Sequence, residues 1–263
     1  MIKLGITGYD GVLGSILCKK LKEENIEFSG FCGDLRNKSD IKNWINENNF
    51  EAIIHLAAIV PINDVNSNPL TAFDVNVAGT INLLEEFVKI DKDKWIFYAS
   101  TSHVYKSSSE PITEDYTTNP ISLYGKTKQM AEDVVLEASK VKDYNLSTCV
   151  GRIFSFYHET QKTPFLYPNL KKRLAEEDLS YPFELYGAES IRDFMNAEDI
   201  VDNIIKFMKK KSEGVFNLAS GKGLKIKDFA QSLTDVKLNI IHKGSVDILV
   251  ANITKMKNEL GEN

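Results

Sequence analysis

The sequence is poor in cysteine, in proline and in uninterrupted apolar stretches. Its 263 residues contain 3 cysteines and 7 prolines. Cys18, Cys32 and Cys149 are scattered, and no two have CxxC spacing. That excludes a disulfide framework and a cysteine zinc site, so no metal is expected, and it suits a reducing compartment. The opening run Met1-Ile2-Lys3-Leu4-Gly5-Ile6-Thr7 is too short and too soon broken by glycine for a signal peptide or a membrane span. The cytoplasm is the expected location. Basic blocks are also lacking. The one cluster, Lys209-Lys210-Lys211, reads as the solvated end of a helix, and the net charge is −5. Nucleic acid and anionic membrane are therefore not expected partners. There is no internal repeat and no low-complexity tract.

What is present is an alternation. Short apolar runs at Ile2–Thr7, Glu27–Cys32, Ala52–Leu56, Trp95–Ala99 and Leu146–Gly151 read as buried strands. Between them lie helical patterns at Gly11–Glu24, Asp40–Asn48, Pro69–Lys89 and Ser122–Lys140. Strand and helix in turn predict an α/β fold with a doubly wound parallel sheet covered on both faces, over residues 1–151. Residues 152–196 read as irregular and aromatic-rich. Helices at Ala197–Lys210 and Ile226–Leu233 and strands at Val215–Leu218 and Leu238–His242 follow. Residues 152–263 are thus expected to form a small C-terminal lobe, with elements that partly return to the sheet. Ligands of open α/β sheets sit beyond the carboxyl ends of the strands, so such a lobe closes a cleft there.

Gly8-Tyr9-Asp10-Gly11-Val12-Leu13-Gly14 joins the first strand to the first helix. A dinucleotide pyrophosphate needs backbone N–H groups at a helix N-terminus, and a Cβ at the closest approach would exclude it. The last glycine lets helix and strand pack closely. The spacing is GxxGxxG, and the same residues also suit an ordinary glycine-rich turn. Asp34 lies about 20 residues beyond Gly14, where an acid for the ribose 2′-hydroxyl is expected.

Tyr124-Gly125-Lys126-Thr127-Lys128 contains YxxxK. On a helix this places phenol and ammonium on one face, and a nearby ammonium favours the phenolate needed for acid–base work. Tyr167–Lys171 has the same spacing and is taken as a coincidence. Tyr124 has the better context. The fourth strand ends in Ala99-Ser100-Thr101-Ser102, a hydroxyl cluster where a ligand should lie, and the helix bearing Tyr124 is the next element. The alternative is a polar strand end beside a surface tyrosine.

Taken in order, several stretches resemble the extended short-chain dehydrogenases, the NAD-dependent epimerase/dehydratase family. They are Thr7–Gly14, Gly33-Asp34-Leu35-Arg36-Asn37, Ile54-His55-Leu56-Ala57-Ala58 and Asn76-Val77-Ala78-Gly79-Thr80. Ser100–Tyr105, Tyr124–Lys128, Arg152 and Ile191-Arg192-Asp193-Phe194 complete the series. The resemblance implies a Rossmann-type domain that binds NADP or NAD. Gly8, Tyr9, Asp10, Gly11, Val12, Leu13 and Gly14 would form the phosphate turn. Asp34 and Leu35 would contact adenine, and Leu56, Ala57 and Ala58 would line the coenzyme. Tyr124 would be the acid/base, with Lys128 lowering its pKa and holding the nicotinamide ribose. Thr101 would hold the reacting oxygen.

A nucleotide sugar is the implied substrate, with Thr101, Ser102, His103, Ser155 and Arg192 near it. Arg192 would grip the diphosphate; the other reading is an ion pair with Asp193 or Glu189. His103, as a lone histidine, also reads as a packed residue. The resemblance further implies a homodimer through helices at about 70–90 and 122–140. Between the second and third strands a hairpin's worth of sequence is missing, as in dTDP-4-dehydrorhamnose-type reductases. With it goes the usual ribose acid, so the choice between NAD and NADP is open. Ser102-His103 follows Thr101 where dehydratases of the family carry Asp-Glu, which speaks against dehydration. Ser155 stands where many epimerases have asparagine. The expectation is NAD(P)-dependent reduction of a 4-keto nucleotide sugar, supplying a surface polysaccharide. The alternatives are a 4-epimerase with tightly bound NAD and a non-catalytic NADP-binding regulatory module.

Overall fold

The computed structural model describes residues 3–262, so Ile2 of the expected first strand lies outside the described residues. Five strands come first: β1 (Leu4–Thr7), β2 (Phe28–Gly30), β3 (Ala52–His55), β4 (Lys94–Thr101) and β5 (Leu146–Ile153). They are separated by α1 (Val12–Glu23), α2 (Lys38–Asn48), the short α3 (Ile62–Ser67) and α4 (Pro69–Phe73), α5 (Gly79–Phe87) and α6 (Leu123–Ala138). The second half adds β6 (Ser155–Tyr157), α7 (Leu166–Glu176), β7 (Phe183–Tyr186), β8 (Ile191–Asn196), α8 (Ala197–Lys210) and β9 (Gly214–Leu218). It ends with β10 (Gly223–Lys225), α9 (Ile226–Gln231), β11 (Ile240–Lys243), β12 (Ile248–Leu249) and α10 (Thr254–Leu260).

The main sheet is parallel, in the order β2-β1-β3-β4-β5-β9. Alternate residues of one strand feed opposite cores, as a two-residue side-chain period requires. Ile54, Trp95 and Phe97 join Leu17, Ile204 and Phe207 on the face of α1 and α8. Ile53, Ile96 and Tyr98 join Ile45, Phe87 and Val135 on the face of α2, α5 and α6. Both faces are covered, which is why the strands read as continuous apolar runs. The sheet ends at β2. Only Phe31–Asn37 separate β2 from α2.

Two regions differ from expectation. The pattern at Pro69–Lys89 predicts one helix, but it is split into α4, a π-helical turn at Asp74–Ala78, and α5. The turn is held by Asn76, whose side chain accepts from Ile59 N at 2.7 Å and donates to Ile59 O and Thr127 Oγ1. This long-range bonding has no local periodic signature. Residues 152–196 are not irregular; they contain β6, α7, β7 and β8. Their strands are short and pair with distant partners, β8 with β10, β12 and β6, and β7 with β11. A third core of Leu170, Phe183, Leu185 and Phe229 lies among them. Among the described residues no helix is long and apolar enough to cross a membrane.

Candidate active site

Thr7 ends β1 fully buried. Its hydroxyl meets His55 Nδ1 at 2.6 Å and accepts from Ala57 N at 3.3 Å, tying the ends of β1 and β3 together. Gly8 then turns the chain at φ +67°, a conformation that side chains strain to adopt. Gly11 caps α1 without any side-chain hydrogen bond, and no acid stands in the helix's first turn. The free N–H groups and the dipole make an anion site. A Cβ on Gly14 would stand 2.1 Å from Gly8 O, and one on Gly8 would stand 2.7 Å from Ala57 N. On Gly11 the nearest atom would be Gly8 O at 3.3 Å, with room otherwise. Two glycines therefore serve close packing, and the third leaves open space above the helix end. That cradle fits a dinucleotide pyrophosphate.

Tyr9, the residue after Gly8, lays its ring on Gly30 and approaches Cys32 Sγ with its hydroxyl at 3.3 Å. Asp10 is exposed, and Val12 and Leu13 are half-buried. Asp34 is also exposed. Its carboxylate accepts from Arg36 N at 2.9 Å and from Arg36 Nε at 3.0 Å, and Arg36 holds its pKa below the usual range. Leu35 is buried. Leu56, Ala57 and Ala58 are half-buried where the chain leaves β3.

At the same carboxyl edge of the sheet, beyond β3, β4 delivers Thr101, buried, whose hydroxyl accepts from His103 N at 3.2 Å. Ser102 is buried in the short 3-10 turn that follows. Ser122 caps α6 by accepting from Gly125 N at 3.0 Å. Gly125 is needed there, because a Cβ would stand 2.3 Å from His103 O. This close approach sets Tyr124 beside the turn, with the His103 ring edge-on at 5.8 Å between centroids. Lys128 lies buried one helical turn on, its Nζ 4.2 Å from the Tyr98 ring centre.

Burial drives both groups toward neutrality. It pushes the Tyr124 phenol up to about 12, against hydrogen bonding to Thr101, and it brings Lys128 down to about 7. The expected lowering of the Tyr124 pKa by Lys128 is not found in the protein alone, where desolvation of the phenolate governs and only the Thr101 hydrogen bond opposes it. His55, fully buried, falls to about 3 through desolvation and then the Lys128 charge, and is neutral.

Arg192 is on β8 but pairs with neither Asp193 nor Glu189. Nη2 donates to both carboxylate oxygens of Asp247 at 2.7 Å. Asp193 instead accepts from Ser220 N, Gly221 N and Ala251 N, and Glu189 pairs with Lys225 and Lys227. His103 lies within electrostatic reach of Arg192 and Asp247, and burial holds its pKa down. Ser155, on β6, pairs with Phe194 of β8. The second YxxxK is elsewhere: the Tyr167 hydroxyl and Lys171 both donate to Glu159, and the Tyr167 ring packs on Tyr157 and Phe229 of the small lobe.

Sequence reading missed the shell behind this pair. His55, Asn76, Tyr98 and Glu132 are all buried against it. Asn76 and His55 stand within the motifs above. Glu132 repeats the four-residue step of Tyr124 and Lys128 and was legible on that ground. Among the described residues no group of three or more His, Cys, Asp and Glu side chains is placed to hold a metal ion.

A glycine turn at a helix N-terminus, at the same carboxyl edge of one parallel sheet as a Tyr-Lys-Thr set, is the layout of an extended short-chain dehydrogenase. The family profile described as GDP-mannose 4,6 dehydratase matches residues 18–260. The UDP-glucose 4-epimerase of Mycoplasma genitalium is 30% identical, over 97% of this chain and 82% of its own. The chain belongs to the NAD-dependent epimerase/dehydratase family. The GDP-6-deoxy-D-talose 4-dehydrogenase of Aggregatibacter actinomycetemcomitans is 26% identical, over 99% of this chain and 92% of its own. The Thermus thermophilus UDP-glucose 4-epimerase, solved with NAD, superposes with a TM-score of 0.83 at 20% identity, over 98% of this chain and 92% of that one. It shares the fold.

Proposed function

We propose that this protein is an NAD-dependent nucleotide-sugar 4-epimerase. The carrying observation is that Thr101, hydrogen-bonded to Tyr124, and Lys128, one helical turn on, lie at the same carboxyl edge of the sheet as the glycine cradle. A 4-epimerase among the relatives at 30% identity supports this reading over the 4-keto reductase expected first. Residues 1–151 would hold the coenzyme and residues 152–263 most of the sugar contacts. The nicotinamide, when bound, supplies a hydride acceptor that returns the hydride. Tyr124 takes the proton of the sugar 4-hydroxyl as the ring carbon is oxidised, and gives it back after the 4-keto sugar has turned over. Thr101 holds that oxygen. Lys128 stabilises the phenolate and anchors the ribose. Ser102-His103 offer no acidic pair for removing water, so dehydration is not part of the reading. Arg192, released from Asp247, would hold the diphosphate.

NAD is favoured over NADP, because Arg36 is neutralised by Asp34 rather than free for a 2′-phosphate. A second reading, reduction of a 4-keto sugar of the dTDP-4-dehydrorhamnose type, draws on the short link between β2 and α2. We also propose a homodimer through α5 and α6, which leave an apolar groove of about 450 Å³ between them, lined by Ile81, Leu84, Val88, Val134 and Ala138.

The test is incubation of the purified protein with UDP-glucose, UDP-galactose and related nucleotide sugars, with and without added NAD, read by NMR at the anomeric proton. Conversion at C4 without net coenzyme turnover, lowered about 10²–10⁴-fold in Tyr124→Phe, supports the epimerase. Consumption of NADH or NADPH with a 4-keto sugar, and no epimerisation, overturns it in favour of the reductase.

A further inference from the structure

Tyr124, Lys128 and Glu132 are spaced four apart on α6, and all three are buried. That spacing lines them on one helix face. The Glu132 carboxylate is held from outside the helix. Ser100 Oγ donates to it at 2.5 Å, and Arg152 donates from Nε at 3.0 Å and also from Nη2. Arg152 is fixed in turn by the Tyr105 hydroxyl at 2.7 Å and by Glu114 O at 2.9 Å.

The charges here do not cancel in pairs. Lys128 shares a helix face with Tyr124 and Glu132, and the Tyr98 ring from β4 and His55 from β3 pack near it. Burial keeps Tyr98, Tyr124 and His55 neutral. Among these described groups Glu132 is the one anion; it is ion-paired with Arg152 and acts on Lys128 through space, one helical turn away. Ion pairing with Arg152 alone would need neither the position one turn from Lys128 nor the extra bond from Ser100.

We propose that Glu132 is a positioning residue for the reaction: clamped by Arg152 and Ser100, its carboxylate favours the charged form of Lys128 and so keeps an ammonium available to Tyr124 and the coenzyme. The proposal rests on Tyr124 and Lys128 being the reacting pair. Desolvation lowers the Lys128 pKa and Glu132 acts against it, so loss of the carboxylate leaves the amine neutral under working conditions.

The charge of Lys128 is readable without coenzyme or substrate, by the pH titration of its side-chain 13Cε NMR signal in lysine-labelled protein, assigned by its absence in Lys128→Arg. The wild-type midpoint is expected near 7. In Glu132→Gln it falls by about one pH unit or more, a roughly tenfold change in the protonation ratio, and Glu132→Asp restores most of it. NADH affinity, followed by fluorescence, loses its alkaline limb at a correspondingly lower pH. Glu132→Gln leaves Arg152 unpaired; should it not fold, the double variant Glu132→Gln, Arg152→Met removes both charges and is expected to give the same shift. An unmoved Lys128 midpoint in either folded variant overturns the proposal. Because the titration needs no turnover, a negative epimerase assay does not decide it, and an unmoved midpoint does not touch the epimerase reading.

Discussion

Gly11 and Gly14 lie three residues apart in one turn and should fail in opposite ways when each receives a methyl group. In Gly14→Ala the new carbon meets backbone on two sides, 2.1 Å from Gly8 O and 2.7 Å from Tyr9 Cα. Optimal non-bonded carbon separations are about 3.5 Å, so turn and helix must part by on the order of 1 Å. Overpacking of this kind costs about 3 kcal/mol, and the better helix propensity of alanine returns about 1 kcal/mol. A net loss of about 2 kcal/mol lowers the melting midpoint by about 4–8 °C in a protein of this size.

Gly11 has φ −72° and ψ 177°, a backbone open to alanine, and its Cβ would touch only Gly8 O at 3.3 Å. The unfolded-state entropy that alanine removes is worth about 0.4–1 kcal/mol and offsets the weaker cap. Gly11→Ala should therefore melt within about 2 °C of the parent, yet its methyl fills the space above the helix end. Its affinity for NAD should fall by at least tenfold, about 1.4 kcal/mol. Differential scanning fluorimetry without ligand and a fluorescence titration with NADH read the two effects separately. Wild-type affinity in Gly11→Ala would refute the placement of the pyrophosphate over this turn. An unshifted midpoint in Gly14→Ala would refute the packing argument.

Four further outcomes follow from the same geometry. His55 is neutral in the fold with a pKa of about 3, against 6.5 when unfolded; the unfolded chain binds the extra proton, so this residue's share of stability is full above about 6.5 and is lost as the pH falls toward 3. His55→Gln should flatten that part of the urea-denaturation pH profile relative to the parent. Lys128, brought to about 7 from 10.5, has the same sign, so Lys128→Met should remove a rise in stability between pH 7 and 10.5, measured in the same way. Arg152→Met strands the Glu132 carboxylate and should cost about 3–5 kcal/mol in chemical denaturation, whereas replacing both partners by apolar residues should cost less. Val134→Lys, in the groove between α5 and α6, should yield a monomer by light scattering if that groove is the dimer contact, with coenzyme affinity unchanged.

The main sheet was legible because β1, β3, β4 and β5 each carry a buried apolar run, such as Trp95–Ala99 in β4, a pattern fixed by burial on both faces. Gly8–Gly14 and Tyr124–Lys128 were legible because their spacing is set by local helix and turn geometry. What could not be read is what depends on distant partners. The π turn owes its shape to Asn76 reaching Ile59 and Thr127. The partner of Arg192 is Asp247, 55 residues away. The strands of residues 152–196 are three to six residues long, too brief to show a period beside the aromatic side chains of the lobe core. The pKa relation between Tyr124 and Lys128 was also beyond the sequence, since spacing gives proximity but not desolvation.

The sheets of the small lobe are not drawn from one stretch of chain. β8 receives β6 from before it and β10 and β12 from after it, while β9, between β8 and β10 in sequence, belongs to the main sheet. The chain thus crosses back to the coenzyme-binding half in the middle of building the lobe. Such a lobe cannot be cut out and replaced as a cassette, because any exchange would also remove an edge strand of the Rossmann sheet. On the proposed reading, a new sugar preference should come from scattered single substitutions along residues 152–251, and grafting a foreign lobe should yield a protein that does not fold.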